Sequence, residues 1–524
     1  MMDIWSWICE LPYSEGWAES DSPHFFELAS SKPSGEEPTR SIQLTVERTA
    51  RSNPDALVTF TVCIQGFHPF NAPKTLWVSD TCPLNAEKPF LPLLLQLLQE
   101  IITRSPMAHA STCPRSQLQK LSPGPISWIM DSHSRESFSG FFTLVFFTRL
   151  FWLCACDAPS EVGSLYFESL LGPSLEALSC KHAPVLRTFL ITVGVDAELC
   201  FMRTLGYMLT KWLILREVGV GLQTLAILPG QHAGFSYAME AHGFWVLKAF
   251  APMLAMKPLS SSGSKVPVLE AQNSVLKYAL AHQQLEATIQ LEYSVEFNEG
   301  YLQVNARVDN LRFHVAKLGF NQNDDVDYAN ERHFVSRVRV WVGPEVGATY
   351  MAGLSLGRST GNGETEVEFQ RLIKGSYGKS KVPNVKTRAK MAARTRMKNW
   401  RWDQDVEGNA AIFDAILYDN TIGHEVATPK PIDMNSSTVN GAVNKYSGPH
   451  RPFTKTGGLV FAGDEFGEGV RWRLSKEMEG SVLKWRIGGQ VWVSYLPNAV
   501  KSSFSESRCV EWCDEVDLPL IPGK

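Results

Sequence analysis

The chain has 524 residues, of which 44% are hydrophobic and 20% are charged, a balance that is typical of folded globular proteins and excludes an intrinsically disordered chain. At roughly 150 residues per domain, this length predicts about two to four domains. The formal net charge of −4 excludes binding to polyanions through bulk charge, so affinity for nucleic acid or anionic lipid has to come from a local patch.

The first 104 residues are predicted to be β-rich and to end in a short helix. Val58, Phe60, Val62 and Ile64 alternate with smaller or polar residues, and this period of two is typical of a strand with one buried face. The apolar run Leu91–Thr103 predicts the helix. Residues 105–125 are rich in Ser and Pro and are interpreted as a connector.

Residues 126–259 are predicted to form an apolar helical block. Between Leu199 and Glu217 the apolar residues repeat with the spacing of one helical face, which predicts an amphipathic helix in a packed core. The residues of that face are Phe201, Leu205, Met208, Leu209, Trp212 and Leu213.

One stretch of this block, Phe138–Cys156, is long enough to cross a bilayer. It contains Arg149, and an unpaired charge inside lipid costs roughly 2.5–3.5 kcal/mol. Two alternatives follow. The stretch is either a buried core helix whose arginine reaches an edge, or a membrane span or in-plane membrane helix.

Residues 260–370 and 402–524 are predicted to be antiparallel β-structure. Leu291–Phe297 and Leu302–Val308 alternate apolar and polar residues on either side of a turn that ends at Gly300, which predicts a hairpin with one buried face. The expected fold class is therefore α+β, with antiparallel β-rich N- and C-terminal parts and an apolar helical block between them.

A basic segment over residues 371–401 interrupts this β-structure. From Arg371 to Trp402 the chain has eleven basic residues and no acidic one. Glycines and Pro383 break its first half, while the stretch from Lys386 to Lys398 has good helix formers and predicts a basic loop with a short helix. The residues proposed to bind an anionic partner are Lys386, Arg388, Lys390, Arg394, Arg396, Lys398 and Arg401.

The partner of this segment has several candidates. A solvated loop, or one paired with the acidic residues Glu364, Glu366 and Glu368, would have no external partner. An anionic membrane surface or nucleic acid would neutralise the repelling charges, since each Lys or Arg near an anionic membrane is worth about 1 kcal/mol and phosphate contacts act similarly. A nuclear import signal is a further interpretation.

Catalytic motifs fit this sequence poorly. GRSTG places Ser359 at the centre of G-x-S-x-G, with Asp414 and His424 following in hydrolase order. The nucleophile elbow requires a helix after the turn, whereas Thr365, Val367 and Phe369 alternate as in a strand. We therefore do not predict a nucleophile at Ser359.

Metal and cofactor motifs are also weak. Asp324, Asp325 and Asp327 are candidate calcium ligands in a loop, although the EF-hand register fails. His232, Glu240 and His242 lack the spacing of a zinc protease, so a metal site there is the lesser alternative. The ten cysteines include no CxxC pair, and we expect free thiols and no cofactor.

The opening DIWSWICELP and the block APVLRTFLITVGVDAELCFMRTLGYMLTKWLILREVGVGLQTL resemble a family of plant-specific proteins. The resemblance implies a plant origin and an intact long fold. It transfers no activity and no site residue. The N-terminus carries Asp3 and Glu10 and no basic stretch, so we expect an intracellular protein, cytoplasmic or membrane-associated, with the nucleus as an alternative.

The leading hypothesis is a non-enzymatic binding or scaffold protein whose basic segment docks on an anionic partner, foremost a membrane surface. One alternative is an enzyme with a pocket between the sheet and the helical block. The other is an integral membrane protein anchored by residues 138–156.

Overall fold

The computed structural model describes most of the chain. The described residues are 3–13, 22–31, 39–49, 57–108, 120–174, 183–219, 234–253, 282–319, 332–419, 424–426, 457–462, 467–496 and 506–522, without 69, 71, 85, 358, 361–364, 377–385 and 398.

Seven α-helices are described, and all precede the long β-region. The apolar stretches of the sequence form them, and Pro at the first turn begins two of them, where its missing N–H costs no hydrogen bond. They are α1 (Ile4–Glu10), α2 (Leu91–Thr103), α3 (Pro123–Ser132), α4 (Arg135–Leu150, continued by the π-helical turn Phe151–Cys156), α5 (Ser160–Leu165, continued by the π-helical turn Tyr166–Leu171), α6 (Ala183–Thr192) and α7 (Val195–Gly219).

The described strands pair antiparallel throughout. In chain order they are β1 (His24–Ser30), β2 (Ser41–Thr49), β3 (Leu57–Gln65), β4 (Lys74–Val78), β5 (Cys82–Pro83), β6 (Met107–Ala108), β7 (Phe235–Ala241), β8 (Phe244–Met253), β9 (His282–Phe297), β10 (Tyr301–Gly319), β11 (Arg332–Pro344), β12 (Met351–Leu356), β13 (Thr365–Ser376), β14 (Lys386–Met397), β15 (Trp400–Glu407), β16 (Ala410–Asp419), β17 (His424–Glu425), β18 (Leu459–Ala462), β19 (Gly469–Ser475), β20 (Val482–Leu496) and β21 (Glu506–Pro519).

The N-terminal sheet has the order β1-β2-β3-β4, with β5 beside β3. The predicted alternation in β3 is confirmed, since Val58, Phe60, Val62 and Ile64 are all buried. This sheet and the helices share one apolar core, in which Trp5 of α1 contacts Phe90, Phe138 and Phe142.

The C-terminal half is a β-sandwich of two sheets. We call β12-β19-β10-β9-β8-β7 the middle sheet and β15-β16-β11-β20-β21 the outer sheet. Their facing side chains form the second apolar core, where Trp485 of the outer sheet packs on Trp245 and Trp472 of the middle sheet, with ring centroids 5.7 and 5.1 Å apart. The predicted hairpin is confirmed as β9–β10, which pairs Phe297 with Leu302. The fold class is therefore α+β and β-rich, as predicted.

Helix α7 packs against the other face of the middle sheet. Strand β8 shows the three layers: Leu247 and Ala249 point into the sandwich core, while Phe250 belongs to the helical core. The predicted face of α7 is confirmed for Phe201, Leu205 and Met208, which are buried.

The end of the predicted helical block is wrong, because Phe235–Ala241 and Phe244–Met253 are strands of the middle sheet. Their turn, His242–Gly243, has φ values of 52° and 81°, and this is the geometry of a two-residue hairpin turn. Strand β8 is covered on both faces and so has an apolar run without alternation, which resembles a buried helix in sequence.

Helix α4 is the one described helix that is long and apolar enough to cross a membrane, and 89% of its apolar window is buried inside the protein. The prediction that Arg149 reaches an edge of the protein is wrong. Its side chain is buried and hydrogen-bonds to Glu100 of α2, which also accepts bonds from Trp77 and Gln96. The burial of the helix is what the core-helix alternative predicts, whereas the burial of Arg149 is not.

Candidate docking site on a basic hairpin

The basic segment predicted from the sequence lies mostly in a β-hairpin formed by β13 and β14. The two strands pair over their whole length, from Thr365 opposite Met397 to Ser376 opposite Lys386. They form a two-stranded sheet that pairs with no other described strand. We call this element the basic hairpin, its residues 365–369 and 393–397 the root, and its residues 372–376 and 386–390 the tip.

Strand β14 alternates basic with apolar or small residues. Because successive residues of a strand face opposite sides, this period of two collects the basic positions on one face of the hairpin. Lys374 of β13 is the register partner of Arg388 and so belongs to the same face. The basic positions of that face are Lys374, Lys386, Arg388, Lys390, Arg394 and Arg396.

The register divides the basic face into two parts. At the root, Arg394 and Arg396 lie opposite Glu368 and Glu366, and opposite charges at such positions attract one another. At the tip, Lys390 lies opposite Leu372 and Lys386 opposite Ser376, while Arg388 and Lys374 lie opposite each other. The root is therefore balanced in charge and the tip is not.

The short helix predicted over Lys386–Lys398 is wrong, because Lys386–Met397 is a strand. The helix prediction relied on the good helix formers of this stretch, in which Lys390, Arg394 and Lys398 follow one another at a spacing of four that a helix would place on one face. A spacing of four also fits a period of two. Pairing with β13 satisfies the backbone of the strand and sets acidic positions opposite two arginines, which an isolated helix does not offer.

Two of the proposed binding residues are not among the described residues of the hairpin. Arg401 is in β15 of the outer sheet, and its guanidinium carbon lies 3.8 Å from the ring centroid of Tyr418. Lys398 lies outside the described residues. The described part of the proposed site is therefore the face of the hairpin.

The basic hairpin connects the two sheets of the sandwich on one side. The preceding strand, β12, is an edge strand of the middle sheet, and the following strand, β15, is an edge strand of the outer sheet. Trp402 of β15 is buried against Phe461, so it faces the core. The hairpin is thus inserted in the chain between the two edge strands on the open side of the sandwich.

The hydrolase order of Ser359, Asp414 and His424 does not form a triad. The Ser359 hydroxyl donates to Glu468, and Asp414 forms ion pairs with Arg337 and Arg339. His424 is in β17, which pairs with β16. Chain order suggested a common site, and the structure gives Ser359 and Asp414 separate partners.

The metal candidates find no support in the described residues. Asp324, Asp325, Asp327 and His232 lie outside the residues that the structure describes. Glu240 accepts a hydrogen bond from the Tyr293 hydroxyl at 3.1 Å, while His242 is in the β7–β8 turn. Among the described residues, no group of three or more His, Cys, Asp or Glu side chains is placed to hold a metal ion.

A cleft of about 310 Å³ lies where the helical block meets the sandwich, as the enzymatic alternative required. Within it Lys484 pairs with Asp517 at 2.5 Å, and both side chains are more than half exposed. The described lining contains no histidine, serine or cysteine; it consists of Arg187, Glu240, Val482, Lys484, Glu515, Val516, Asp517 and Pro519. An enzyme would be favoured by His and Asp side chains that converge in such a cleft, whereas the one aspartate in the described lining, Asp517, pairs with Lys484.

Sequence reasoning missed a buried charged cluster between α7 and the middle sheet. Glu198 is 2% exposed, accepts from the Tyr237 hydroxyl and pairs with Lys248 at 2.6 Å. Burial, and then the adjacent carboxylate of Glu198, raises the pKa of Tyr237 far above its usual range, so the hydroxyl stays a donor. The only signal in the sequence was a charge within an apolar helix.

A second pair in the same junction joins Arg203 to Glu286, with Nε and Oε1 2.8 Å apart, and His314 lies 2.8 Å from the other carboxylate oxygen. Burial alone would raise the pKa of Glu286, but the hydrogen bonds from His314 and Arg203 hold it below its usual value. Both clusters fasten the helical block to the sandwich.

Comparison with known proteins gives little. No family model matches the chain, and no curated protein matches it. Solved structures that match include the NetB toxin of Clostridium perfringens in its membrane-inserted form (9% identity, 55% of this chain and 99% of that chain, TM-score 0.18) and the delta-toxin of the same organism (9%, 54% and 96%, TM-score 0.20). Such low TM-scores establish neither a shared fold nor a shared function, and the resemblance to plant proteins stays a prediction.

Proposed function

We propose that this protein is a non-enzymatic binding protein that docks on an anionic membrane surface through the basic face of its hairpin. The observation that carries the proposal is the register of β13 with β14. It leaves Lys374, Lys386, Arg388 and Lys390 without an acidic partner across the hairpin, on one face of an element that extends from the sandwich.

The energetic argument concerns these four charges at the tip. A Lys or Arg close to an anionic leaflet contributes about 1 kcal/mol, so four contribute roughly 4 kcal/mol, enough for reversible peripheral binding. The interaction is screened by salt, since the Debye length falls from about 10 Å at 0.1 M to about 3 Å at 1 M. The proposed location is therefore the cytoplasmic leaflet of a cellular membrane, where anionic lipids are concentrated.

The geometry also sets the orientation of docking. The face opposite the basic one carries Val367, Phe369, Ile373 and Met391 at alternate positions, interrupted by Arg371. When the basic face meets lipid headgroups, this apolar face points away from them. Docking is thus electrostatic and does not require apolar side chains to enter the bilayer.

The test compares binding of the full-length protein to vesicles of phosphatidylcholine with and without phosphatidylserine. We expect binding only to the anionic vesicles and release at about 1 M salt. The double variant Arg388→Gln/Lys390→Gln should bind about 30-fold more weakly, because it loses two charges at the tip. The matched control Glu368→Gln/Arg394→Gln removes one charge of each sign at the root and should bind like the unmodified protein.

Four results would contradict the proposal. Equal binding to neutral vesicles would remove the electrostatic basis. Equal weakening in both variants would show that the register does not matter. Release by detergent but not by salt would favour membrane anchoring by α4. If the protein binds single-stranded nucleic acid and no vesicles, nucleic acid replaces the membrane as the partner.

A further inference from the structure

The segments that flank the basic hairpin in the chain, Ser359–Thr360 before it and Gln404 after it, are held by one buried carboxylate, that of Glu468. This residue directly precedes β19 and is 0% exposed. Its Oε1 accepts hydrogen bonds from the Ser359 hydroxyl at 3.0 Å and from the Thr360 backbone N–H at 2.8 Å. Its Oε2 accepts a hydrogen bond from Nε2 of Gln404.

These partners precede and follow the hairpin in the chain. Ser359 and Thr360 lie between β12 and β13, and Gln404 is in β15, after β14. Because β12 belongs to the middle sheet and β15 to the outer sheet, the carboxylate also ties the two edge strands together on the open side of the sandwich. Ser359 and Gln404 are 109 and 64 residues away from Glu468 in the chain.

The main chain around Glu468 is itself rigidly held. Its carbonyl oxygen accepts from the N–H of Val308 in β10, and the next residue, Gly469, accepts from the N–H of Gly357 at 2.7 Å. The N–H of Gly467 donates to the Thr360 hydroxyl at 3.1 Å. The carboxylate is therefore a fixed point to which the two segments that flank the hairpin attach.

The donors match the charge of the carboxylate. A buried carboxylate has to be compensated, and here three N–H or O–H groups point at its oxygens, while no ion pair to Glu468 occurs among the described residues. Removing the donors leaves the buried carboxylate unpaired, and removing the carboxylate leaves the N–H of the buried Thr360 unpaired, and either change is costly. The carboxylate and its donors are therefore expected to stay together or to separate together.

We infer that Glu468 is the positioning residue of the basic hairpin: it holds the two flanking segments, at Ser359–Thr360 and at Gln404, against the sandwich so that the hairpin presents its basic face in one orientation. This inference rests on the proposed function in its last step only. A hairpin with loosened flanking segments keeps all of its charges, but it has to be ordered when it docks, and that ordering weakens binding.

The test exchanges the two side chains that meet at Oε2. Gln404→Glu alone sets a second carboxylate against Glu468, and two like charges repel strongly when buried. The reciprocal double variant Gln404→Glu/Glu468→Gln restores an amide–carboxylate pair with the roles reversed, and the new amide oxygen at position 468 still accepts from Ser359 and Thr360. Glu407→Gln, an exposed carboxylate on the same strand as Gln404, is the control.

Three quantities are measured on the full-length variants: the rate of trypsin cleavage within residues 371–401, the exchange rate of the Thr360 amide hydrogen, and binding to phosphatidylserine vesicles. In Gln404→Glu we expect cleavage and exchange to rise by about tenfold. The reason is that the population in which the flanking segments have separated from Glu468 increases. We expect vesicle binding to weaken about fivefold. The reciprocal variant should return all three to within about twofold of the unmodified protein, and Glu407→Gln should leave them unchanged.

The outcomes separate this inference from the proposed function. If cleavage and exchange do not rise, or rise without rescue by the reciprocal variant, the inference is wrong. Cleavage and exchange could also rise and be rescued while vesicle binding stays constant. In that case Glu468 holds the flanking segments without positioning the hairpin for docking, and the inference is again wrong. If the unmodified protein binds no vesicles, the proposed function fails, and rescue of cleavage still supports the fastening role.

Discussion

At the scale of single residues, close packing decides several positions where the sequence shows only a small residue. Gly488 lies on the outer sheet under the indole of Trp341, its register partner in β11. A Cβ atom at Gly488 would lie 2.1 Å from Cε2 and Cζ2 of that ring, a distance that no side chain tolerates. The missing side chain therefore lets the indole lie across the sheet.

Gly488→Ala is expected to destabilise the protein, because the added methyl group forces Trp341 out of its position. Overpacking of this kind costs about 1–3 kcal/mol in the free energy of unfolding. Urea unfolding followed by tryptophan fluorescence measures the loss. Gly300→Ala, at a turn with open space around the added methyl group, is the control and should change the free energy by less than about 0.5 kcal/mol. Equal effects of the two substitutions would contradict the steric argument.

At the scale of the elements, alternation was the reliable signal in this sequence. It placed β3, β9 and β10 correctly, since each has one face in a core and one face partly in water. It failed for β8, which is covered by helices on one face and by the outer sheet on the other. In β14 the alternation was overlooked. Basic residues at alternate positions include pairs that are four residues apart, and that spacing also fits one face of a helix.

The candidate site was predictable only in part, for a related reason. The basic residues of β14 were identified from charge alone. Their division into a balanced root and an unbalanced tip depends on the register with β13, and no property of β14 by itself contains it. Glu468 gave no signal, because its partners lie 64 to 109 residues away in the chain.

The contact between α7 and β9 makes stability depend on pH through Glu286. Its pKa in the folded protein is held below the ordinary value of 4.5. An acid of this kind binds a proton more readily in the unfolded chain, so its stabilising contribution is complete above about pH 4.5 and is lost as the pH falls through its folded-state pKa. Acidification should therefore loosen this junction.

Glu286→Gln tests this directly. Near neutral pH we expect the variant to be less stable by about 1–3 kcal/mol, because Arg203 loses its charged partner. Below about pH 4.5 the difference from the unmodified protein should shrink, since the native carboxylate is itself becoming protonated there. Free energies of unfolding measured between neutral and acidic pH give both quantities, with Glu299→Gln in the β9–β10 turn as the control. A difference that stays constant across this range would disprove the linkage.

At the scale of the whole molecule, two apolar cores meet along α7. The helices and the N-terminal sheet form the first core, and the two sheets of the sandwich form the second. Between them lie two charged pairs, Glu198 with Lys248 and Glu286 with Arg203, whose carboxylates are almost completely removed from water and whose basic side chains are 18% and 13% exposed. These pairs set how the helical block sits on the sandwich, because an alternative arrangement would leave the same charges buried without partners.

The pair of Glu198 and Lys248 allows this coupling to be measured. Glu198→Ala leaves Lys248 and the Tyr237 hydroxyl without their acceptor inside the junction, so we expect a loss of about 3–5 kcal/mol in the free energy of unfolding. Replacing both charges with apolar side chains of similar size, as in Glu198→Leu/Lys248→Met, removes the unpaired charge and should cost much less than Glu198→Ala. Urea unfolding of Glu198→Leu, Lys248→Met and the double variant gives the coupling energy, and hydrogen exchange shows whether α7 and β8 are the segments that open first. If the double variant were as unstable as Glu198→Ala, the loss would come from packing, and the charged pair would not be what orients the two cores.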